Sequence, residues 1–102
     1  MEIKYADKNN FNELTNNGLV LVDFYANWCG PCKMLGTQIE ELDLMREDFS
    51  IVKINVDEEE ELARKFGVMS IPALFLFKDG KLIDNKVGFM SKDDIKDWIS
   101  NN

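Results

Sequence analysis

Two hydrophobic periods divide this chain. Leu19–Ala26 (LVLVDFYA) is a nearly continuous apolar and β-branched run, the pattern of a strand covered on both faces. Ile3–Tyr5, Ser50–Val56 (SIVKINV) and Ala73–Lys78 (ALFLFK) read as further strands. Leu35, Ile39, Leu42 and Met45 recur at helical spacing, which predicts a helix from about Cys32 to Glu47. Phe11 and Leu14 share one face of a helix over Lys8–Asn16, with Asp7 as its N-cap and Asn17-Gly18 as its end. Glu58–Phe66 has acids in its first turn, Arg64 and Lys65 in its last and Gly67 just beyond, matching a helix dipole and a C-cap. Asp79-Gly80 turns the chain from Ala73–Lys78 into Lys81–Val87. Ser91 caps a last helix whose apolar face is Ile95, Trp98 and Ile99.

The order is therefore β-α-β-α-β-α-β-β-α. Alternation implies a parallel central portion with helices on both faces, and the closing hairpin adds antiparallel strands. The expected architecture is an α/β fold: a mixed five-stranded sheet flanked by four helices. No repeat or linker divides residues 1–102, so one domain is expected. Phe24, Leu74, Phe75, Phe77 and Ile95 are assigned to the core.

Charge narrows the partners. Twelve basic against nineteen acidic residues give a net charge of −7, which argues against nucleic acid or an anionic membrane surface. The longest apolar run, Leu19–Val22, is far too short to cross a bilayer. The opening MEIKYADKNNFNEL has no basic segment followed by an apolar run, so no export signal is read and a cytoplasmic location is expected. In a reducing compartment a transient catalytic disulfide is a better expectation than a structural one.

That bears on Asn27-Trp28-Cys29-Gly30-Pro31-Cys32-Lys33, which holds both cysteines of the chain. A structural zinc site wants four Cys or His ligands, and the chain has two cysteines and no histidine. A structural staple closing so short a ring would stabilise by roughly 2 kcal/mol, in a domain large enough to build its own core. A redox pair accounts for the intervening residues as well. A strand ends at Ala26 and a helix begins near Cys29. Pro31 suits the first helical turn, and Gly30 permits close approach of another backbone. Cys29 would project, exposed, from a helix N-terminus that favours thiolate. Cys32 would follow one turn later on the same face.

The chain resembles the thioredoxin family over nearly its whole length. The resemblance is carried by VDFYANWCGPCK (Val22–Lys33), KINVDEEEELARKFGV (Lys53–Val68), SIPALFLFKDGK (Ser70–Lys81) and VGFMSKDDIKDWI (Val87–Ile99). It implies a thioredoxin fold and reduction of disulfides in target proteins, with Cys29 as nucleophile, Cys32 as resolving thiol and a thioredoxin reductase to recycle the pair. No cofactor and no metal are expected, and the protein is expected to be a monomer.

Asp23 alone reads first as a solvent-facing charge near a strand end, with a buried acid as the alternative. By resemblance it is the proton acceptor for Cys32, with Lys53 beside it to modulate it; an outward-facing Lys53 is the plain alternative. Pro72 would ordinarily follow a trans bond, whereas the resemblance implies cis, with Ile71 pairing an extended substrate through its main chain. Trp28, Gly30, Pro31, Met69, Ile71, Pro72, Val87 and Gly88 would form an apolar substrate-binding rim around Cys29. Three positions depart from the family pattern: Thr37 replaces a helix-kinking proline, Tyr25 a frequent tryptophan and Ala73 a common threonine. Two other functions remain: a disulfide oxidase or isomerase, which Gly30-Pro31 disfavours, and a scaffold subunit in a larger complex.

Overall fold

The computed structural model describes residues 3–45 and 48–102. Its elements are β1 (Lys4–Tyr5), α1 (Phe11–Thr15), β2 (Leu19–Tyr25), α2 (Gly30–Met45), β3 (Ser50–Asn55), α3 (Glu60–Lys65), β4 (Ala73–Lys78), β5 (Lys81–Val87) and α4 (Lys92–Ser100). The strands lie in the order β1-β3-β2-β4-β5. β1, β3 and β2 run parallel, while β4 is antiparallel to β2 and β5 to β4.

β2 is apolar on both faces because it lies in the middle and each face is covered. Val20, Val22 and Phe24 pack with Phe11 of α1 and Leu62 of α3. There the Phe66 ring meets those of Phe11, Phe24, Phe75 and Phe77 at centroid distances of 5.2 to 6.2 Å. On the other face Leu21 packs with Leu35, Ile39 and Leu42 of α2 and with Ile95, Trp98 and Ile99 of α4. Strand alternation puts Asp23, two residues after Leu21, on this α2 side.

The turn chemistry fixes the connections. Asp79 and Gly80 both have positive φ, 51° and 84°, as a type I′ hairpin requires. The Asp79 carboxylate accepts the Gly18 N–H at 2.8 Å, and the Asp79 N–H donates to the Gly18 carbonyl at 2.9 Å. After α3, Gly67 (φ 65°) donates to the Arg64 carbonyl and Val68 to that of Ala63, which is a Schellman cap. Ser91 Oγ accepts the Asp94 N–H at 3.1 Å and starts α4.

Several ends differ from the sequence expectation. α1 begins at Phe11 because Asp7 Oδ1 takes the N–H groups of Asn9 and Asn10, holding them in a turn. α3 begins at Glu60 for a related reason: Asn55 accepts from Asp57 through its side chain and from Glu58 and Glu59 through its carbonyl. β2 and β3 each stop one residue early. α2 starts two residues early, at Gly30, and its expected end at Glu47 lies outside the described residues. α2 continues through Gly36 and Thr37, where the Thr37 hydroxyl donates to the Lys33 carbonyl at 3.4 Å.

Candidate active site

Where β2 ends, the chain makes a tight turn: the Cys29 N–H donates to the Ala26 carbonyl at 3.3 Å. The Cys29 carbonyl then accepts the Lys33 N–H at 3.2 Å, so Cys29 caps α2. At a helix start a Ser or Asp oxygen usually accepts an early N–H. Here the acceptor is sulfur: the Cys32 N–H donates to Cys29 Sγ at 3.2 Å. That bond and the positive end of α2 both favour negative charge on Cys29. Cys32 carries the same dipole but has its own N–H engaged by its neighbour.

The two cysteines form a disulfide with Cα atoms 5.2 Å apart. Their surroundings correct one expectation. The sequence predicts an exposed Cys29, yet it keeps only 5% of its surface and Cys32 4%. Both sulfurs sit in an apolar cluster with Ala26, Tyr25, Val56 and Ile71. In the disulfide state exposure does not separate the two cysteines; their positions at the helix start do.

A second chain segment closes over the disulfide. The Ile71–Pro72 bond is cis, and the Ile71 carbonyl oxygen lies 3.9 Å from Cys29 Sγ. Gly88 donates its N–H to the Pro72 carbonyl at 2.8 Å, and Val87 pairs with Ala73. Residues 71–73 and 87–88, distant in sequence, are thereby joined beside the sulfur. Pro72 itself is buried, like the two cysteines. Trp28 is 71% exposed, which excludes a core role, and its indole N–H donates to Asp57 Oδ2 at 2.8 Å. Gly30 and Pro31 are exposed, and a side chain at Gly30 would enter open space. Met69 is also fully open to solvent.

Asp23 is buried completely, and neither carboxylate oxygen has a hydrogen-bond partner among the described residues. In the sheet it stands between Lys53 of β3 and Leu74 of β4. Lys53 is therefore not the outward lysine of an alternating strand: its Nζ lies 3.8 Å from Asp23 Oδ2, and its side chain is 14% exposed. Burial raises the Asp23 carboxyl from 3.8 to about 7, the Lys53 charge pulling the other way and losing. An open cleft of about 520 Å³, lined by Tyr25, Ala26, Cys32, Gly36 and Lys53 among others, reaches this region from solvent.

Sequence reasoning misses three residues here. Asp57 anchors the Trp28 indole from 29 positions away, and no local pattern announces it. Tyr25 places its ring 4.5 Å from Lys53 Nζ; the sequence marks it as a departure from the family pattern but not as a contact of that lysine. Phe89, half exposed directly after Gly88, extends the apolar surface, and its lack of a core periodicity is the available signal. Among the described residues no group of three or more His, Cys, Asp or Glu could hold a metal ion.

Comparison with known proteins agrees with this geometry. The thioredoxin family model matches residues 2–101. The chain is 46% identical over 101 residues to the thioredoxin of Bacillus subtilis (strain 168), covering 98% of this chain and 97% of that protein. It is 46% identical over 93 residues to the thioredoxin of Chlamydia caviae, covering 91% of each. Among solved structures, a single-site mutant of the thioredoxin from Halobacterium salinarum NRC-1 superposes with a TM-score of 0.90 at 40% identity, covering 98% of this chain and 89% of that one. With the disulfide-forming pair seated at the start of a helix in that fold, the chain belongs to the thioredoxin family and is a thiol–disulfide oxidoreductase, acting as a protein-disulfide reductase.

Proposed function

We propose that the two cysteines divide the reaction unequally and that Asp23 moves its proton. In the dithiol form Cys29 Sγ, as thiolate, attacks one sulfur of a target disulfide. A mixed disulfide forms and the target's other sulfur leaves as thiolate. Cys32 then gives its proton to the Asp23 carboxylate and attacks Cys29 Sγ. The target's remaining sulfur is released, and the Cys29–Cys32 disulfide holds the two-electron oxidation that the target has lost. The observation that carries the assignment is the Cys32 N–H directed at Cys29 Sγ at the cap of α2. It stabilises a charge on Cys29 and none on Cys32.

The buried carboxyl, which has no hydrogen-bond partner among the described residues, supports the proton step. A group that titrates near 7 can accept a proton and return it at neutral pH. Ile71 would pair an extended substrate segment through its main chain, with Trp28, Gly30, Pro31, Met69, Val87 and Gly88 as contacts around it and Pro72 holding their support. Family membership implies a reductase and disulfide-bearing targets as partners in general. Thioredoxin reductase is the proposed donor. Residues 1–102 would work as one domain and as a monomer in the cytoplasm. Among the described residues no helix is long and apolar enough to cross a membrane. Neither the oxidase nor the scaffold reading gains support from any feature of the site.

Single-turnover release of a chromophoric thiol from the Cys29 mixed disulfide tests the proton step. Asp23→Ala should slow release about 100-fold or more and change its pH profile, as expected for loss of a general base. An unchanged rate from pH 6 to 9 would refute the role of Asp23.

A further inference from the structure

Lys53 reaches a buried carboxylate from a strand whose neighbouring residues face the core, and something must keep its flexible ammonium there. Three contacts surround that ammonium. Asp23 Oδ2 lies 3.8 Å away. The Tyr25 ring centroid lies 4.5 Å away. Gly36 faces it from α2, where an added Cβ would lie 3.6 Å from Nζ. Tyr25 follows Asp23 by two residues on β2, so both side chains leave the same face of the sheet. A cation over an aromatic face is held by the ring quadrupole, while a lysine with water beside it otherwise extends toward solvent. We propose that Tyr25 is a positioning residue for the resolving step: its ring holds the Lys53 ammonium beside the Asp23 carboxylate, at the floor of the cleft behind Cys32.

This inference rests on the proposed role of Asp23. The geometry around the ring supports it. The Asn55 side chain hydrogen-bonds the Tyr25 side chain, and burial, the largest influence, pushes its phenol above the ordinary range, so the ring stays neutral. The other ionisable groups nearby are few. Tyr5 lies beside Lys53 in the β1–β3 register, Lys33 and Glu40 line the cleft from α2, and Glu58 acts on Tyr25 from the loop before α3. Cys32 joins them in the dithiol form. The charge that opposes the burial of Asp23 is that of Lys53. Tyr25 therefore acts on the carboxylate through the lysine.

The experiment follows the Asp23 carboxyl itself, by ¹³C NMR titration of the oxidised protein, so it can fail independently of any rate. Tyr25→Leu should let Lys53 swing outward and raise the Asp23 midpoint by about 0.5–1 pH unit. Tyr25→Phe, which keeps the ring, should leave the midpoint in place. Pentafluorophenylalanine at position 25 has a similar shape but a reversed quadrupole, and should raise the midpoint even if the leucine variant folds poorly. In a Lys53→Met background the ring substitutions should have no further effect. An unmoved or lowered midpoint in Tyr25→Leu and the pentafluorophenyl variant would overturn the proposal. So would an equal shift in the Lys53→Met background, because the ring would then act by burial alone. If the midpoint shifts as expected but thiol release from the mixed disulfide ignores it, the proton-acceptor reading fails and the positioning of Lys53 stands.

Discussion

Removing Asp23 should stabilise the protein, and by an amount that depends on pH. The folded carboxyl titrates near 7, whereas the ordinary value is 3.8. Well below pH 3.8 the group is protonated whether the chain is folded or not, and it contributes nothing. As pH rises from 3.8 to 7 the unfolded carboxyl ionises and the folded one resists, so the unfolded state is favoured. Each unit of difference is worth about 1.4 kcal/mol, which gives about 4 kcal/mol lost by pH 7 and no further loss above it. Asp23→Ala lacks this term. It leaves a small cavity and removes the partner of Lys53, but the cavity cost does not vary with pH. The stability of Asp23→Ala minus that of the wild type should therefore grow by about 4 kcal/mol between pH 4 and pH 7.5 and then level off. Urea unfolding of the two oxidised proteins across that range, followed by tryptophan fluorescence, measures the difference directly. A difference that stays flat with pH would refute the reasoning, because it would mean that Asp23 titrates alike in the folded and unfolded chain.

Other outcomes follow from the same geometry. Cys32→Ser should trap targets as mixed disulfides on Cys29, visible as reductant-sensitive adducts on a gel, while Cys29→Ser should trap none. Asp57→Ala frees the Trp28 indole from its side-chain anchor. It should raise KM for protein disulfides a few-fold with little change in stability, since an exposed hydrogen bond is worth about 1 kcal/mol. Gly67→Ala forces a left-handed cap residue at φ 65° and should cost about 1 kcal/mol in thermal or denaturant unfolding, with thiol exchange unchanged.

The parts of this structure that the chain announces are those decided by local rules. Leu19–Ala26 reads as a covered strand because its apolar run has no other use. Asp79-Gly80 reads as a hairpin because both positions must take positive φ. The redox pair reads from Gly30 and Pro31, which suit a helix start better than a staple. The parts it conceals depend on what folds over a residue. Alternation puts Asp23 on the same face as Leu21, but only the packing of α2 across that face decides that it is dry. Lys53 obeys strand alternation and still turns inward, because the face it shares with Asp23 is covered and Gly36 leaves room for its ammonium. α1 and α3 start late because Asp7 and Asn55 bind nearby backbone N–H groups first, a competition that propensity does not resolve. Trp28 and Asp57 meet across 29 positions and leave no trace in the chain, whereas Pro72 and Gly88 are brought together there only by the family resemblance. The near-equal burial of Cys29 and Cys32 likewise depends on Ile71, far downstream in the chain.

The most direct test of the central claim is the reduction of insulin disulfides by dithiothreitol, with and without the protein. Wild-type protein should accelerate precipitation of the freed insulin chain in catalytic amounts, and Cys29→Ser should abolish the acceleration. No acceleration by the wild type, or full acceleration by Cys29→Ser, would contradict disulfide reduction through Cys29.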